Sequence, residues 1–254
     1  MVGRNSTALR AAALLVVLAS VAGCATPPTD PAARAEFDQT NDRFEPLNRR
    51  VFALNLVLDE HIGTPVAKAY RRGVHPFFRT GIRNFLDHIQ SPVTFINDVL
   101  QGERERAAET ATRFWVNTIV GFGGFFDVAG QYGLRRHKED FGQTLAVWGA
   151  PEGPYIMLPL LGPSNARDLT GRIVDNFSNP ISYALSHGGV AWLETIAGVV
   201  DAVDTRERSL DQVEELKRTS IDFYASVRSL YRQNREAEIL NGKVTKIPLP
   251  GEDE

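Results

Sequence analysis

FWVNTIVGFGGFFD, residues 114–127, holds four phenylalanines and a tryptophan around Gly121, Gly123 and Gly124. Glycine gives up more backbone freedom on ordering than any other residue, so three of them among aromatic rings argue against an ordinary helix interior. Their missing side chains permit a sharp bend or a close approach. The stretch is apolar enough to enter lipid, yet it is too short and too interrupted for the ~20-residue helix that spans a bilayer. A helix–bend–helix dipping into one leaflet fits; a spanning helix does not.

Outward from there, the amino terminus sets the compartment. Arg4 and Arg10 precede the apolar run Ala11–Ala19, and Val21-Ala22-Gly23 lead to Cys24, the single cysteine of the chain. A positive start, a 7–15-residue apolar segment and small residues before a cut describe a secretory signal. A lone cysteine makes no internal disulfide. Ending the small residues, it resembles a bacterial lipobox, which makes residues 1–23 the signal peptide and Cys24 the acylated first mature residue. Ala25, rather than Asp, resembles the sorting signal for the outer membrane. Residues 24–40, Pro- and Ala-rich and polar, read as a lipidated tether.

Removing residues 1–23, which carry two arginines and no acid, takes the formal charge from −3 to −5. No basic stripe with interleaved aromatics appears, which argues against a nucleic-acid partner. The mature length suits one large domain, expected over residues 41–240.

Helical signals dominate that region. Phe44, Leu47, Val51, Leu54 and Leu58 recur at spacings of three and four, one face of a helix. After Arg50 that helix is apolar nearly all round, with Asn55 as its polar exception, so it is either buried or lipid-facing. Asn55 is then either a hydrogen-bonded core residue or a point on a lipid path. Pro76 is expected to open a helix. Ser91-Pro92 resembles an N-cap with Pro at the first helical position, opening another that Gly102 ends. Glu103–Arg113 leads into the aromatic stretch. Between Phe141 and Asp168 four glycines and four prolines break regular structure around the apolar run 155–161. That run is expected against a core or shallowly in an interface, and Ser164 is expected to cap the next helix. Two amphipathic elements follow, Val190–Val203 and Leu210–Leu240, stopped by Asn241-Gly242; residues 241–254 read as a disordered tail.

The blocks NDRFEPLNR, RFWVNTIVGFGGFFDVAG, EDFGQTLAVWGAPEGPYIMLPLLGP and NARD, in that order between Asp42 and Asp175, resemble the signature segments of the MlaA (VacJ) lipoprotein family. The resemblance implies an all-α fold: a single ring-like bundle of amphipathic and apolar helices set in one leaflet, the inner leaflet of the Gram-negative outer membrane. It further implies an amphipathic channel for misplaced phospholipids, association with a trimeric porin, and hand-over to the periplasmic lipid carrier MlaC. The location implied is the periplasmic face of the outer membrane, held by a lipid anchor.

No chemistry competes with that reading. The chain has no G-x-S-x-G elbow, no phosphate loop, no H-E-x-x-H and no cysteine pair. GFGG at 121–124 lacks a dinucleotide loop's third glycine, Phe126 standing in its place. No cofactor or metal is expected. His137 and Asp140, three apart, are read as sharing a structural hydrogen bond rather than a metal. Asp127 is either a helix N-cap or a polar point lining the channel; Arg167 and Asp168 are either a solvated pair or contacts for headgroups at its mouth. The candidate lipid-path residues are Asn55, Asn117, Gly121, Gly123, Gly124, Asp127, Arg167 and Asp168. The alternatives to a non-catalytic phospholipid channel are a structural envelope lipoprotein and a membrane-anchored lipid hydrolase.

Overall fold

A computed structural model describes residues 27–31, 34, 37, 40–190 and 192–242. The signal peptide, Cys24 and the tail beyond Gly242 lie outside them. Within the expected tether, residues 31, 34, 37 and 40 are helical, so helix begins earlier than its composition suggests.

The chain forms two compact units. The first contains helix α1 (Glu45–Leu58) and an antiparallel hairpin of β1 (Tyr155–Leu158) and β2 (Gly162–Asn165), with Tyr155 opposite Asn165 and Leu158 opposite Gly162. This hairpin is the one departure from an all-α chain among the described residues. The glycines and prolines of 142–163 that excluded a long helix left a tight reversal open instead, and Leu160 takes a left-handed φ of 64° at its tip. Ser164, expected as a helix cap, is a buried strand residue of β2. Asn48 and Asn55, seven apart on one face of α1, hold the hairpin. The Asn48 amide donates to Tyr155 O (3.1 Å) and accepts from Met157 N (2.9 Å). Asn55 does the same for Leu158 O and Leu160 N, each at 2.9 Å.

The second unit contains α2 (Thr64–Gly73), α3 (Pro76–Leu100), α4 (Arg104–Ile119), the short α5 (Val128–Gln131) and α6 (Phe141–Val147). It continues with α7 (Ala166–Ser178), α8 (Pro180–His187), α9 (Trp192–Thr219) and α10 (Phe223–Ile239). Pro76 does open α3, capped by His75, whose Nδ1 accepts from Phe77 N. The expected second start at Ser91-Pro92 is absent: α3 runs on for 25 residues with Pro92 inside it. The Ser91 hydroxyl donates back to Asp87 O (3.3 Å) instead of capping, and contacts with α4 hold the helix together across the proline's missing N–H. Gly102, at φ 78°, ends the segment as expected. In the C-terminal third, α9 runs through the expected gap to Thr219, and Asp222 caps α10 by accepting from Ala225 N.

Side-chain burial in this structure runs against the habit of a water-soluble domain. Asp98, Asp204, Thr144 and Asn97 are at most 1 % exposed. Phe122, Phe177, Ile119 and Trp115 are 82, 85, 75 and 61 % exposed. Buried polar groups survive only when partnered, and these are: Thr144 donates to Asn97 Oδ1 (2.7 Å), Asn97 to Asp175 (3.0 Å), and Thr110 to Asp98 (2.7 Å). No helix among the described residues is long and apolar enough to cross a membrane.

Candidate functional site: a bend and a two-sided helix pair

Helices α3 and α4 pack along each other, and the 114–127 stretch closes their far end. Helix α4 ends at Ile119, and Phe122, Gly123 and Gly124 follow with φ of 54°, 65° and 91°, three left-handed residues in a row. Gly124 N donates to Asn117 O (2.8 Å) and Gly123 N to Thr118 O (3.1 Å), which satisfies carbonyls the helix end leaves open. Each glycine has its own reason. A Cβ on Gly124 would fall 2.3 Å from the His88 ring, and one on Gly121 2.3 Å from Phe126 O. A Cβ on Gly123 would meet nothing within 4 Å, so only its φ demands glycine. On α3, a Cβ at Gly81 would overlap the Phe125 ring. The sharp bend read from the sequence is present.

Behind the bend sits Asp127. It caps α5 by accepting from Gly130 N (3.1 Å), and the same oxygen accepts from Arg113 Nη2 (2.9 Å) and Asn117 Nδ2 (3.0 Å). Arg136 Nη2 reaches its other oxygen at 3.3 Å. Burial alone would raise the carboxyl's pKa, but the Asn117 and Arg113 hydrogen bonds and the Arg113 charge hold it below the usual range. Asn117 in turn accepts from Ala129 N (2.9 Å). Asn117, Gly121, Gly123, Gly124 and Asp127 thus form one local assembly. Asn55 lies in the first unit, satisfied by the hairpin. Arg167 and Asp168 are not a solvated pair, since their side chains are 9 and 4 % exposed. Asp168 accepts from Arg235 Nε (2.9 Å) and Nη2 (3.0 Å) and from the Tyr231 hydroxyl. His137 and Asp140 do not meet: His137 Nε2 lies 3.0 Å from Asp98, while Asp140 caps α6 and pairs with Arg235.

Two recesses border the α3–α4 seam. One is polar, ≈ 40 Å³, lined among others by Asn84, Asp87, His88, Arg113, Arg136 and Lys138. The second is apolar, ≈ 230 Å³, lined by Pro92, Phe95, Ala111, Phe114 and Trp115 with Ser91 and Thr110. Only Ser91 and Thr110 border both. On α4 the polar recess takes Thr110, Arg113 and Asn117, while Ala111, Phe114 and Trp115 form the next row round the helix. His88 stands at the seam, its ring stacked on Phe114 at 4.8 Å and its Nε2 3.1 Å from Thr118 Oγ1. Burial lowers its pKa, which favours the neutral imidazole. Of this arrangement the sequence displayed Asn117 and Asp127. Arg136 and Lys138 belong to the short basic run Arg135-Arg136-His137-Lys138, in a loop that only the fold turns toward α3.

The sequence profile of the MlaA lipoprotein family matches residues 40–238. The intermembrane phospholipid transport system lipoprotein MlaA of Escherichia coli is 34 % identical over 239 residues, covering 92 % of this chain and 90 % of that protein. An uncharacterized protein of Rickettsia prowazekii is 33 % identical over 210 residues, 82 % of each chain. A solved structure described as the structural basis for maintenance of bacterial outer membrane lipid asymmetry superposes with a TM-score of 0.70. It is 36 % identical, and the match covers 78 % of this chain and 98 % of that one. With a profile match over most of its length and relatives at this identity and coverage, the chain belongs to the MlaA lipoprotein family.

Proposed function

We propose that this chain is a non-catalytic outer-membrane lipoprotein through which misplaced phospholipids leave the outer leaflet, so that lipid asymmetry is maintained. The observation that carries the reading is the inverted burial: large apolar side chains lie exposed although no described helix is long and apolar enough to span, while polar ones are partnered inside. Exposed apolar surface on this scale marks a membrane or partner interface. Shallow insertion into one leaflet covers it without a spanning helix. The α3–α4 pair supplies the complementary feature, a wall with an apolar side for acyl chains and a polar side for what acyl chains carry. Acylation at Cys24 anchors the chain at the periplasmic face. A trimeric porin supports the body, and the soluble carrier MlaC takes the lipid onward.

Catalysis is disfavoured by geometry at the acid–imidazole–hydroxyl cluster Asp98, His137 and Thr110. The Thr110 hydroxyl already donates to Asp98, and the acid and the hydroxyl both lie at His137 Nε2. A relay needs the acid on one ring nitrogen and the nucleophile on the other.

The test is made in cells lacking the chain and in cells re-expressing it, by measuring outer-leaflet phospholipid with an impermeant amine label. Re-expression is expected to clear the label. Persistence of outer-leaflet phospholipid at normal protein level overturns the reading. Cleavage of phospholipid by the purified protein would favour the hydrolase, and absence of co-purified lipid by mass spectrometry the structural lipoprotein.

A further inference from the structure

The polar recess beside the α3–α4 seam gathers three cations, each of which also ties the fold together through an ion pair. Arg113, Arg136 and Lys138 line it with the carboxylate of Asp87, and Asp127 behind the bend also pairs with Arg113 and Arg136. Arg136 binds Asp87 and, at 2.7 Å, Asn84 Oδ1. Lys138 Nζ lies 2.9 Å from the other oxygen of Asp87, and its side chain is 66 % exposed at the mouth. Set against Asp87 and Asp127, the three cations keep an excess of one positive charge. A further donor comes from Gln90. At ≈ 40 Å³ it holds about three waters at ~10–15 Å³ each. That is room for the oxygens of one phosphate and not for an esterified alcohol beside it.

We propose that this recess is a phosphate-reading subsite for phospholipid in transit, with the phosphodiester against Arg113, Arg136 and Lys138 and the headgroup alcohol left outside. The proposal rests on the transport reading above. Arginine presents paired donors that match phosphate oxygens, and lysine adds a mobile point charge. Placement favours a lipid phosphate over a free one, because the apolar groove lies just across Ser91 and Thr110. A subsite at a polar–apolar boundary matches the phosphate of an amphiphile. Because the recess is too small for the alcohol, it reads the group that all phospholipids share. Ethanolamine and glycerol headgroups are therefore held alike.

The experiment uses the full acylated chain in detergent, with native mass spectrometry of retained lipid. The probes are phosphatidylethanolamine, phosphatidylglycerol, diacylglycerol and inorganic phosphate. Wild type is expected to retain both phospholipids within about twofold of each other, and diacylglycerol roughly tenfold less. Lys138→Gln and Arg136→Gln are each expected to lower phospholipid retention several-fold, with melting by circular dichroism checked beside it. Lys138→Arg, which keeps the charge, is expected to retain phospholipid as the wild type does, and unchanged melting of Lys138→Gln excludes a purely structural effect. Equal retention of diacylglycerol, or Gln variants with wild-type retention, overturns the subsite while leaving transport intact. Binding of inorganic phosphate without any change in lipid retention shows a free-anion site and also overturns it. Wild type that retains no phospholipid at all fails the transport reading first, and this one with it.

Discussion

Asp127 gathers two arginines, an asparagine and a helix N-terminus onto one carboxylate. Arg113 is 11 % exposed at its side chain and would be left without its acid in Asp127→Ala. Breaking such a pair from one side is expected to cost on the order of 3 kcal/mol, at the low end for buried pairs because Asp127 is a quarter exposed. The pH dependence follows from the direction of the shift. A carboxyl held below its ordinary value stabilises the fold above the unfolded pKa of ~4 and loses that contribution as pH falls through the folded value. The stability gap between wild type and Asp127→Asn, measured by urea titration, should therefore be full at pH 6 and shrink below pH 4. A gap that widens on acidification would contradict the assignment. Asn55 is decided in the same way. Both amide positions are used on the hairpin, so Asn55→Leu should lower stability by about 1–3 kcal/mol. An unchanged melting temperature for that variant would mean that the two bonds contribute little.

At the scale of elements, the glycine bend separates two effects that sequence alone runs together. Gly123→Ala meets open space and should cost about 1 kcal/mol for its left-handed φ alone. Gly124→Ala adds a collision with His88 to the same kind of φ and should cost a further 1–3 kcal/mol. Thermal melts of the two variants check the order, and equal losses would put the His88 contact in doubt. Helix α10 offers a second case. Arg235, 10 % exposed, binds Asp168 on α7 and Asp140 at the start of α6. Burial alone would lower its pKa, but the two carboxylates raise it and keep it charged. Arg235→Ala should cost about 3–5 kcal/mol and expose α10 to limited proteolysis before the rest of the chain. Starts and stops were the legible part of these elements. Pro76, Gly102 and Asn241-Gly242 act through their own backbone limits, which no neighbour alters. Ser91-Pro92 misled because the same two residues suit a helix start or a helix interior, and packing against α4 decided between them. The 155–165 hairpin was hidden for a related reason: its pairing partner is the other half of itself, and its clamp lies about a hundred residues away in α1. Asp127 was legible as a cap, whereas the arginines that converge on it were not, since convergence is a property of the fold.

For the whole molecule, anchoring and surface act together. Each buried methylene of an acyl chain contributes ~0.8 kcal/mol, so the acylation proposed at Cys24 would hold the chain firmly. Cys24→Ser should abolish acylation, while the exposed rings keep weak, reversible binding to vesicles of outer-membrane lipid. Fractionation and a vesicle pull-down measure the two parts. A Ser variant that is still acylated refutes the lipobox, and a fully soluble one refutes the apolar surface as a membrane contact.

The two asparagines of α1 carry one more consequence. A strand with an open side invites another chain to pair with it, the usual beginning of aggregation. On β1 that side is occupied: Tyr155 N by Asn41 O, Tyr155 O and Met157 N by Asn48, and Leu158 O by Asn55. Side-chain amides here stand in for a third strand that cannot be extended. The hairpin of a protein concentrated at a crowded membrane is in this way closed to self-assembly along β1.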